Sequence, residues 1–509
     1  MPSASGSLPR DPANAGAGGL SWFGIVRLGL VQTALGAIVV LTTSTMNRVM
    51  VVELALPAML PGFLVGLHYA IQMLRPRLGY GSDVGGRRTP WILGGMAVLG
   101  LGGTVAAWSI MLMGTDLILG VAVALGAFLL IGLGVGAAGT SLLVLLAKEV
   151  APARRPAAAT LVWMMMILGF VITASIAGGF LDPYSPLRLL NVTGTVALIA
   201  CLVTVVAVWR IESAPRSDAG SGATGRPGAV TAVHADTSHT AAAREPAGTS
   251  EPTAAQSAGT SSSSTPATPF FIALKEIWGE PEARLFTIFV FMSMLAYSAQ
   301  DLVLEPFAGA IFGMTPGEST KLAGVQHGGV LIGMLMVALA GRRIAGLRLG
   351  SVGQWMLGGC LASAVTLCGL LFAAAVGPDW PLKPSVFLLG VANGAFAVAA
   401  IGMMMNLAHS GREGREGIRM GLWGAAQAIA FGVGGLAGTV VVDVCRWLTG
   451  WTALSYGMVF LLQAILFTIA ALIAARINRM HIPIPGRQAK RPLNPELGLE
   501  TMAAASFER

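Results

Sequence analysis

Apolar segments that are long enough to cross a lipid bilayer recur along the whole of this chain. A membrane-spanning helix needs about 20 mainly apolar residues, and twelve stretches qualify when glycine and isolated polar residues are tolerated. Hydrophobic residues make up 54% of the 509 residues and charged residues only 11%, which is too apolar for a water-soluble fold of this length. We therefore predict an all-α integral membrane protein with spans at 24–45, 57–77, 91–113, 117–146, 157–180, 188–209, 284–305, 321–341, 352–376, 384–408, 419–442 and 452–475.

The predicted spans form two groups of six, separated by a long polar segment. This segment is rich in Ser, Thr, Ala, Gly and Pro and shows no apolar period, which is typical of a flexible linker. Its last residues, including Phe270, Phe271 and Trp278, predict a short interfacial helix. The predicted organisation is a disordered N-terminal tail at 1–21, a six-helix half at 22–211, the flexible cytoplasmic linker at 212–282, a second six-helix half at 283–478 and a C-terminal tail at 479–509.

Two pairs of segments indicate that the halves are duplicates. Residues 147–178 align with residues 407–438 at a constant offset, and Leu64–Tyr69 resembles Leu322–His327. Parallel duplicated halves are typical of transporters, in which the ligand path lies between them. Chance similarity between glycine-rich helices is the alternative.

Lysine and arginine residues are concentrated in alternate loops. The loops after the second, fourth, eighth and tenth spans are clearly basic, whereas the other loops hold at most one such residue each. Because basic loops are retained in the cytoplasm, we predict a bacterial inner-membrane protein with both termini in the cytoplasm. The net charge of +8 comes from these loops rather than from one basic domain, so no nucleic-acid partner is predicted.

The loop after the second span carries glycine, acidic and basic residues in a regular spacing. The pattern consists of Gly79, Asp83, Gly86, Arg87 and Arg88. Glycine permits a tight turn, Asp83 can cap a helix, and the arginines can pair with carboxylates or helix C-termini. The pattern resembles the signature loop of the major facilitator superfamily, which implies that fold and a loop that latches one conformation. Val84 departs from it, because that family usually has a basic residue there. A basic cytoplasmic loop without further function would explain the arginines but not the Gly and Asp spacing.

A second resemblance covers residues 45–95. Residues 45–58, 67–70, 74–77 and 81–92 together resemble the PucC-like light-harvesting assembly proteins, also called the bacteriochlorophyll delivery family. The resemblance implies a role in purple phototrophic bacteria, where such a protein helps to insert or hand over bacteriochlorophyll, or a late precursor, during antenna assembly. It also implies bacteriochlorophyll as a bound or transported ligand. The implied partners are antenna polypeptides, late bacteriochlorophyll-synthesis enzymes and membrane lipid.

Four charged residues lie at the predicted outer ends of the first and seventh spans. They are Arg48, Glu53, Asp301 and Glu305. In duplicated transporters these two helices face each other across the ligand path, so an ion pair of Arg48 with Asp301 or Glu305 would close the outer side. Two alternatives stay open, namely snorkelling of the charges to the membrane interface and proton coupling by Asp301 or Glu305.

Two histidines, His68 and His327, lie within the second and eighth spans at related positions, one residue apart in the alignment. Neutral imidazole is a good ligand for the magnesium of a chlorophyll, so both are candidates for pigment contacts. A histidine that is hydrogen-bonded to a neighbouring helix is the alternative. The methionine runs 164–166 and 403–405 could line a path for a large flat ligand, but core packing is the default explanation for them.

The sequence offers no candidate residues for covalent catalysis. It contains no phosphate-binding loop, nucleophile triad or metal-ligand cluster, and its four cysteines lack metal-ligand spacing. We predict an antenna assembly factor or pigment carrier rather than an enzyme. A proton-coupled secondary transporter of a small solute, with Asp301, Glu305 or Glu53 as the coupling site, is the first alternative. A scaffold that only docks antenna proteins is the second.

Overall fold

The chain folds into a bundle of long helices. The computed structural model describes residues 20–74, 87–151, 154–212, 275, 277–340, 350–410 and 416–481. In these ranges the helices of 14 residues or more are α1 Trp22–Glu53, α2 Met59–Gln72, α3 Thr89–Met113, α4 Leu117–Glu149, α5 Arg155–Phe180, α6 Pro186–Val208, α7 Pro281–Phe312, α8 Pro316–Ala340, α9 Val352–Val376, α10 Leu382–Ser410, α11 Glu416–Thr449 and α12 Thr452–His481. Eleven of them are long and apolar enough to cross a membrane, which confirms the all-helical membrane fold. The exception is α2, whose predicted span continues into residues outside the described ranges.

Local signals set several helix ends. The side chain of Ser21 accepts the N–H of Gly24 at the start of α1, and that of Asp116 accepts the N–H of Leu119 at the start of α4. Gly313 ends α7 with a φ of 65°, a left-handed conformation that glycine adopts without steric cost. The turns at Asp116 and Gly313 lie at the end of the bundle that the charge pattern predicts to be outside, which we call the outer end, whereas Ser21 lies at the opposite end.

Helix α1 is longer than predicted, because it continues from residue 45 to Glu53. Two π-helical turns, Leu41–Thr45 and Val49–Glu53, interrupt its regular geometry, and such turns are frequent at functional sites. Hydropathy ended the span early because residues 42–48 are largely polar. The structure buries most of this polar stretch against the second half.

Close backbone contacts support the duplication. The carbonyl oxygen of His68 in α2 lies against Gly132 of α4, and the carbonyl oxygen of Gln326 in α8 lies against Gly390 of α10. The neighbouring helix leaves no room for a Cβ at either glycine, because a Cβ there would come too close to the carbonyl oxygen. The same number of residues separates the two members of each equivalent pair. His68 therefore corresponds to Gln326, and His327 corresponds to Tyr69.

The two halves meet mainly through three pairs of helices, in which α1 packs against α7, α2 against α11 and α5 against α8, and α1 also contacts α8. Most buried apolar residues of the second half form one large cluster, whereas most of those of the first half form three smaller clusters. Residues 277–279 are helical just before α7, with Ile277 buried and Trp278 half-exposed. Most of the predicted tails and of the predicted linker, together with the loop residues Gly79, Asp83 and Gly86, lie outside the described residues.

Candidate functional site between the two halves

The polar stretch of α1 bonds directly to the second half. The Thr45 hydroxyl lies 2.9 Å from that of Thr320 in α8. The Asn47 amide donates to the carbonyl oxygen of Leu302 in α7 at 2.6 Å. Because polar side chains are costly in a lipid environment unless they are paired, these contacts explain why a polar helix segment stays buried between the halves.

Arg48 lies at the same contact and is only 2% exposed. Its guanidinium forms an ion pair with Glu53 of its own helix at 2.5 Å and donates to the carbonyl oxygen of Met314, between α7 and α8, at 2.5 Å. The ion pair with Asp301 or Glu305 that we considered is therefore not formed. The extension of α1 brings Glu53 within reach, and the carbonyl oxygen of Met314 supplies the link to the second half. Burial of Arg48 also excludes snorkelling of this side chain.

Tyr184, in the turn between α5 and α6, is electrostatically coupled to this pair. Burial and, to a smaller extent, the carboxylate of Glu53 raise the pKa of its hydroxyl, the charge of Arg48 lowers it, and the resulting pKa is about 12. Tyr184 was not predicted from the sequence, since nothing in its local pattern marks it.

The two acidic residues of α7 are enclosed nearby. Glu305 is 2% exposed and its Oε2 lies 3.5 Å from the Ser319 hydroxyl, the limit of a hydrogen bond. Among the described residues, neither Oε1 of Glu305 nor Oδ1 of Asp301 has a hydrogen-bond partner. A buried carboxyl group with an unpaired oxygen is costly when ionised. The surroundings of Asp301 and Glu305 therefore favour the protonated form of each carboxyl group.

Two aspartates tie the halves together at the outer end. Asp443 of α11 accepts the N–H groups of Ala58 and Met59 at 3.0 and 2.7 Å and so caps the start of α2. Asp182, after α5, accepts the N–H of Gly317 at 3.1 Å and the hydroxyl of Thr315 at 2.8 Å, at the start of α8.

These two caps are equivalent in the duplicated fold, since α5 corresponds to α11 and α8 to α2. A carboxylate at a helix N-terminus is stabilised by free N–H groups and by the helix dipole. Sequence reasoning missed both aspartates, although their nearly equal distance from the aligned segments 147–178 and 407–438 was a usable signal.

The two predicted histidines have different surroundings. His68 has its Nε2 2.8 Å from Nε2 of Gln72, one turn further along α2. His327 is 6% exposed, and its Nδ1 lies 2.8 Å from the carbonyl oxygen of Ala323 in α8.

Aromatic contacts cross between the halves at the level of the histidines. The ring of His327 in α8 meets that of Phe170 in α5 edge to face, with centroids 4.8 Å apart. At the equivalent contact, Tyr69 of α2 lies 5.5 Å from Phe431 of α11. The imidazole of His327 therefore contacts an aromatic side chain of the opposite half.

The described part of the predicted signature loop lies at the opposite end of the bundle. The N–H groups of Arg88 and Thr89 donate to the Glu212 carboxylate at 2.7 and 2.9 Å. Burial raises the pKa of Glu212, but these N–H groups and the charge of Arg87 outweigh that effect and hold the pKa below its usual range. The described end of the loop is therefore anchored to Glu212, four residues after the end of α6.

A family model decides the relationship of this chain to known proteins. The model described as PUCC protein matches residues 45–245 and 250–482. The chain belongs to the PUCC protein family. The match spans both halves, so membership rests on the whole bundle as well as on the densely similar region of residues 45–95.

Relatives of this PUCC-family chain occur in purple bacteria. It is 47% identical over 462 residues to the "Bacteriochlorophyll synthase 44.5 kDa chain" of Rhodobacter capsulatus, covering 90% of this chain and 96% of that protein. It is 27% identical to "Protein PucC" of Rhodobacter capsulatus, covering 88% and 90%. It is also 27% identical to "Protein PucC" of Cereibacter sphaeroides, covering 83% and 84%.

Solved structures show that this PUCC-family bundle has the major facilitator fold. A bacterial homologue of the human lysosomal transporter Spinster, in an inward-facing and unoccupied conformation, superposes with a TM-score of 0.58 at 14% identity, covering 91% of this chain and 98% of that one. A D-xylose-proton symporter superposes with a TM-score of 0.59 at 12% identity, covering 88% and 97%. At these identities the similarity concerns the fold alone.

Proposed function

We propose that this protein is an assembly factor for light-harvesting antenna complexes, and that it binds bacteriochlorophyll or a late precursor and hands it to antenna polypeptides in the membrane. The observation that carries the proposal is the match to the PUCC family over nearly the whole chain. The name of the 47% identical relative refers to bacteriochlorophyll synthase, which supports bacteriochlorophyll or a precursor as the ligand. The protein itself acts as a carrier rather than as a catalyst.

In this proposal the pigment occupies the space between the halves, and the halves rock about it. At the outer end, the bonds of Arg48 and the caps by Asp182 and Asp443 close the bundle. At the cytoplasmic end, the signature loop with Gly79, Asp83, Gly86, Arg87 and Arg88 latches the opposite conformation. The fold similarity to transporters supports such a motion.

Deletion of the gene in a purple bacterium, with complementation by the intact gene, tests the proposal. The near-infrared absorption of isolated membranes is expected to lose its antenna bands, while growth in the dark and the reaction-centre band persist. Extracted pigments are expected to contain no accumulated precursor, because no synthetic step is lost. Accumulation of one precursor together with loss of all bacteriochlorophyll would instead assign a catalytic role.

A proton-coupled transporter of a small solute is the second candidate. The enclosed carboxyl groups of Asp301 and Glu305, each with an oxygen that has no partner among the described residues, favour it. Purified protein in liposomes should then show saturable solute uptake driven by a pH gradient, and Asp301→Asn should abolish it. The absence of antenna loss in the deletion strain, combined with such uptake, would favour this candidate over the assembly factor.

A further inference from the structure

We infer that His327 is the axial ligand through which the protein holds the magnesium of a bacteriochlorophyll-type pigment at the contact between α5 and α8. The inference deepens the proposed function and rests on it, because the class of ligand comes from there. A magnesium chlorin fills its equatorial positions with its own ring nitrogens and leaves an axial position open. To coordinate the magnesium, the protein therefore needs to supply only one neutral side chain with a correctly oriented lone pair.

The imidazole of His327 has one nitrogen that donates and one that is able to ligate. Nδ1 lies 2.8 Å from the carbonyl oxygen of Ala323, and because a carbonyl oxygen only accepts, Nδ1 carries the proton. In the neutral ring Nε2 then holds a lone pair, and no described residue hydrogen-bonds to it. Metal-ligating histidines have this arrangement, in which a backbone carbonyl fixes the tautomer and the orientation of the ring.

The surroundings of His327 are apolar and come from both halves. Phe170 of α5 holds the imidazole edge to face. A small buried cluster of Ile167, Val330 and Met334 lies at the same contact, and the partly buried side chains that pack against it are Met164, Met166, Phe170, Leu331 and Val398. Methionine and aromatic side chains adapt to large flat ligands. Such a wall suits an apolar macrocycle better than a hydrophilic solute.

The equivalent contact between α2 and α11 lacks this ligand. Tyr69 stands there in the place of His327 and packs against Phe431, and a phenol offers no ring nitrogen. The neighbouring His68 already has its Nε2 at hydrogen-bonding distance from Gln72. Of the two contacts that the duplication creates, the one between α5 and α8 is thus equipped for axial ligation.

The test compares a pigment with and without its metal. Protein purified from a host that makes no bacteriochlorophyll is titrated in mild detergent with bacteriochlorophyll a and with its magnesium-free form, bacteriopheophytin a. The wild type is expected to bind the magnesium pigment at least about tenfold more tightly, and His327→Ala is expected to lose this preference. Ile332→Ala serves as the matched control, because Ile332 is exposed on a different face of α8 and should keep the preference.

Two further measurements protect the test from folding artefacts. Added imidazole should restore the magnesium preference in His327→Gly, which a misfolded variant cannot show. The macrocycle vibrations in resonance Raman spectra, which report the axial coordination of magnesium, should change between the wild type and His327→Ala at equal pigment loading. If both pigments bind equally to the wild type and to His327→Ala, the pigment-carrier function stands and His327 is not the ligand. If the folded wild type binds neither pigment, the carrier function itself fails.

Discussion

The aspartate caps at the outer end allow a quantitative prediction about how the two halves separate. Asp443→Ala removes two hydrogen bonds from the carboxylate to the N–H groups of Ala58 and Met59. Loss of an N-terminal cap costs about 1–2 kcal/mol, and the partial exposure of Asp443 places the value within that range rather than above it. Since 1.4 kcal/mol corresponds to a factor of ten, opening at this end should become about fivefold to thirtyfold more frequent.

The equivalent change at Asp182 should act independently. Asp182 binds one backbone N–H and one hydroxyl, so we expect Asp182→Ala to cost about 1 kcal/mol. The two caps join different pairs of helices and share no partner, and independent sites add. The double variant should therefore cost about 2–3 kcal/mol and open about 30-fold to 150-fold more often than the wild type.

Thiol labelling measures this opening. Thr320 is fully buried at the contact between the halves, so Thr320→Cys in a background without the four native cysteines reports exposure through its rate of reaction with a maleimide. Asp116→Ala is the matched control, because Asp116 also caps a helix at the outer end but bonds only within the first half. The reasoning is refuted if Asp116→Ala accelerates labelling as much as Asp443→Ala, or if the folded double variant reacts at the wild-type rate.

Three other changes have defined outcomes. Arg419→Ala should lower the stability in thermal unfolding by about 2 kcal/mol, because it removes the bidentate, charge-assisted hydrogen bonds to Glu280 and leaves that carboxylate partly exposed to solvent; an unchanged melting temperature would contradict this. Glu212→Gln should destabilise the protein at neutral pH. As the folded-state pKa of Glu212 is lowered, its contribution is present above the usual pKa of about 4.3 and disappears as the pH falls through the lowered value, so unfolding curves of the variant and the wild type should converge in acid. Gly390→Ala should separate α8 from α10, since its Cβ would collide with the carbonyl oxygen of Gln326, and yield of folded protein should fall by at least severalfold, whereas equal yields would show that the helices adjust.

Much of the fold was predictable from hydropathy. In lipid each backbone polar group must be bonded within the protein, so long apolar segments become helices whatever their neighbours are. The predicted boundary failed at α1 because the helix continues through a polar stretch, and only contacts such as Thr45 with Thr320 make that stretch tolerable. The identity of those partners depends on how two distant segments pack, which a local pattern does not contain.

The candidate site shows the same division. The sequence by itself identified Arg48, Glu53, Asp301 and Glu305 as unusual charges in apolar surroundings, and it identified His68 and His327 as possible ligands. Only the tertiary structure paired Arg48 with Glu53 and Met314, brought Asp182 and Asp443 to the helix starts of the opposite half, and distinguished the two histidines by their hydrogen bonds. The physical reason is range: hydrophobicity and helix periodicity act through neighbours along the chain, whereas the contacts of Arg48, Asp182 and Asp443 with the opposite half join residues more than a hundred positions apart. The local bonds of Arg48 and of the histidines depend on side-chain conformations, which the surrounding packing sets.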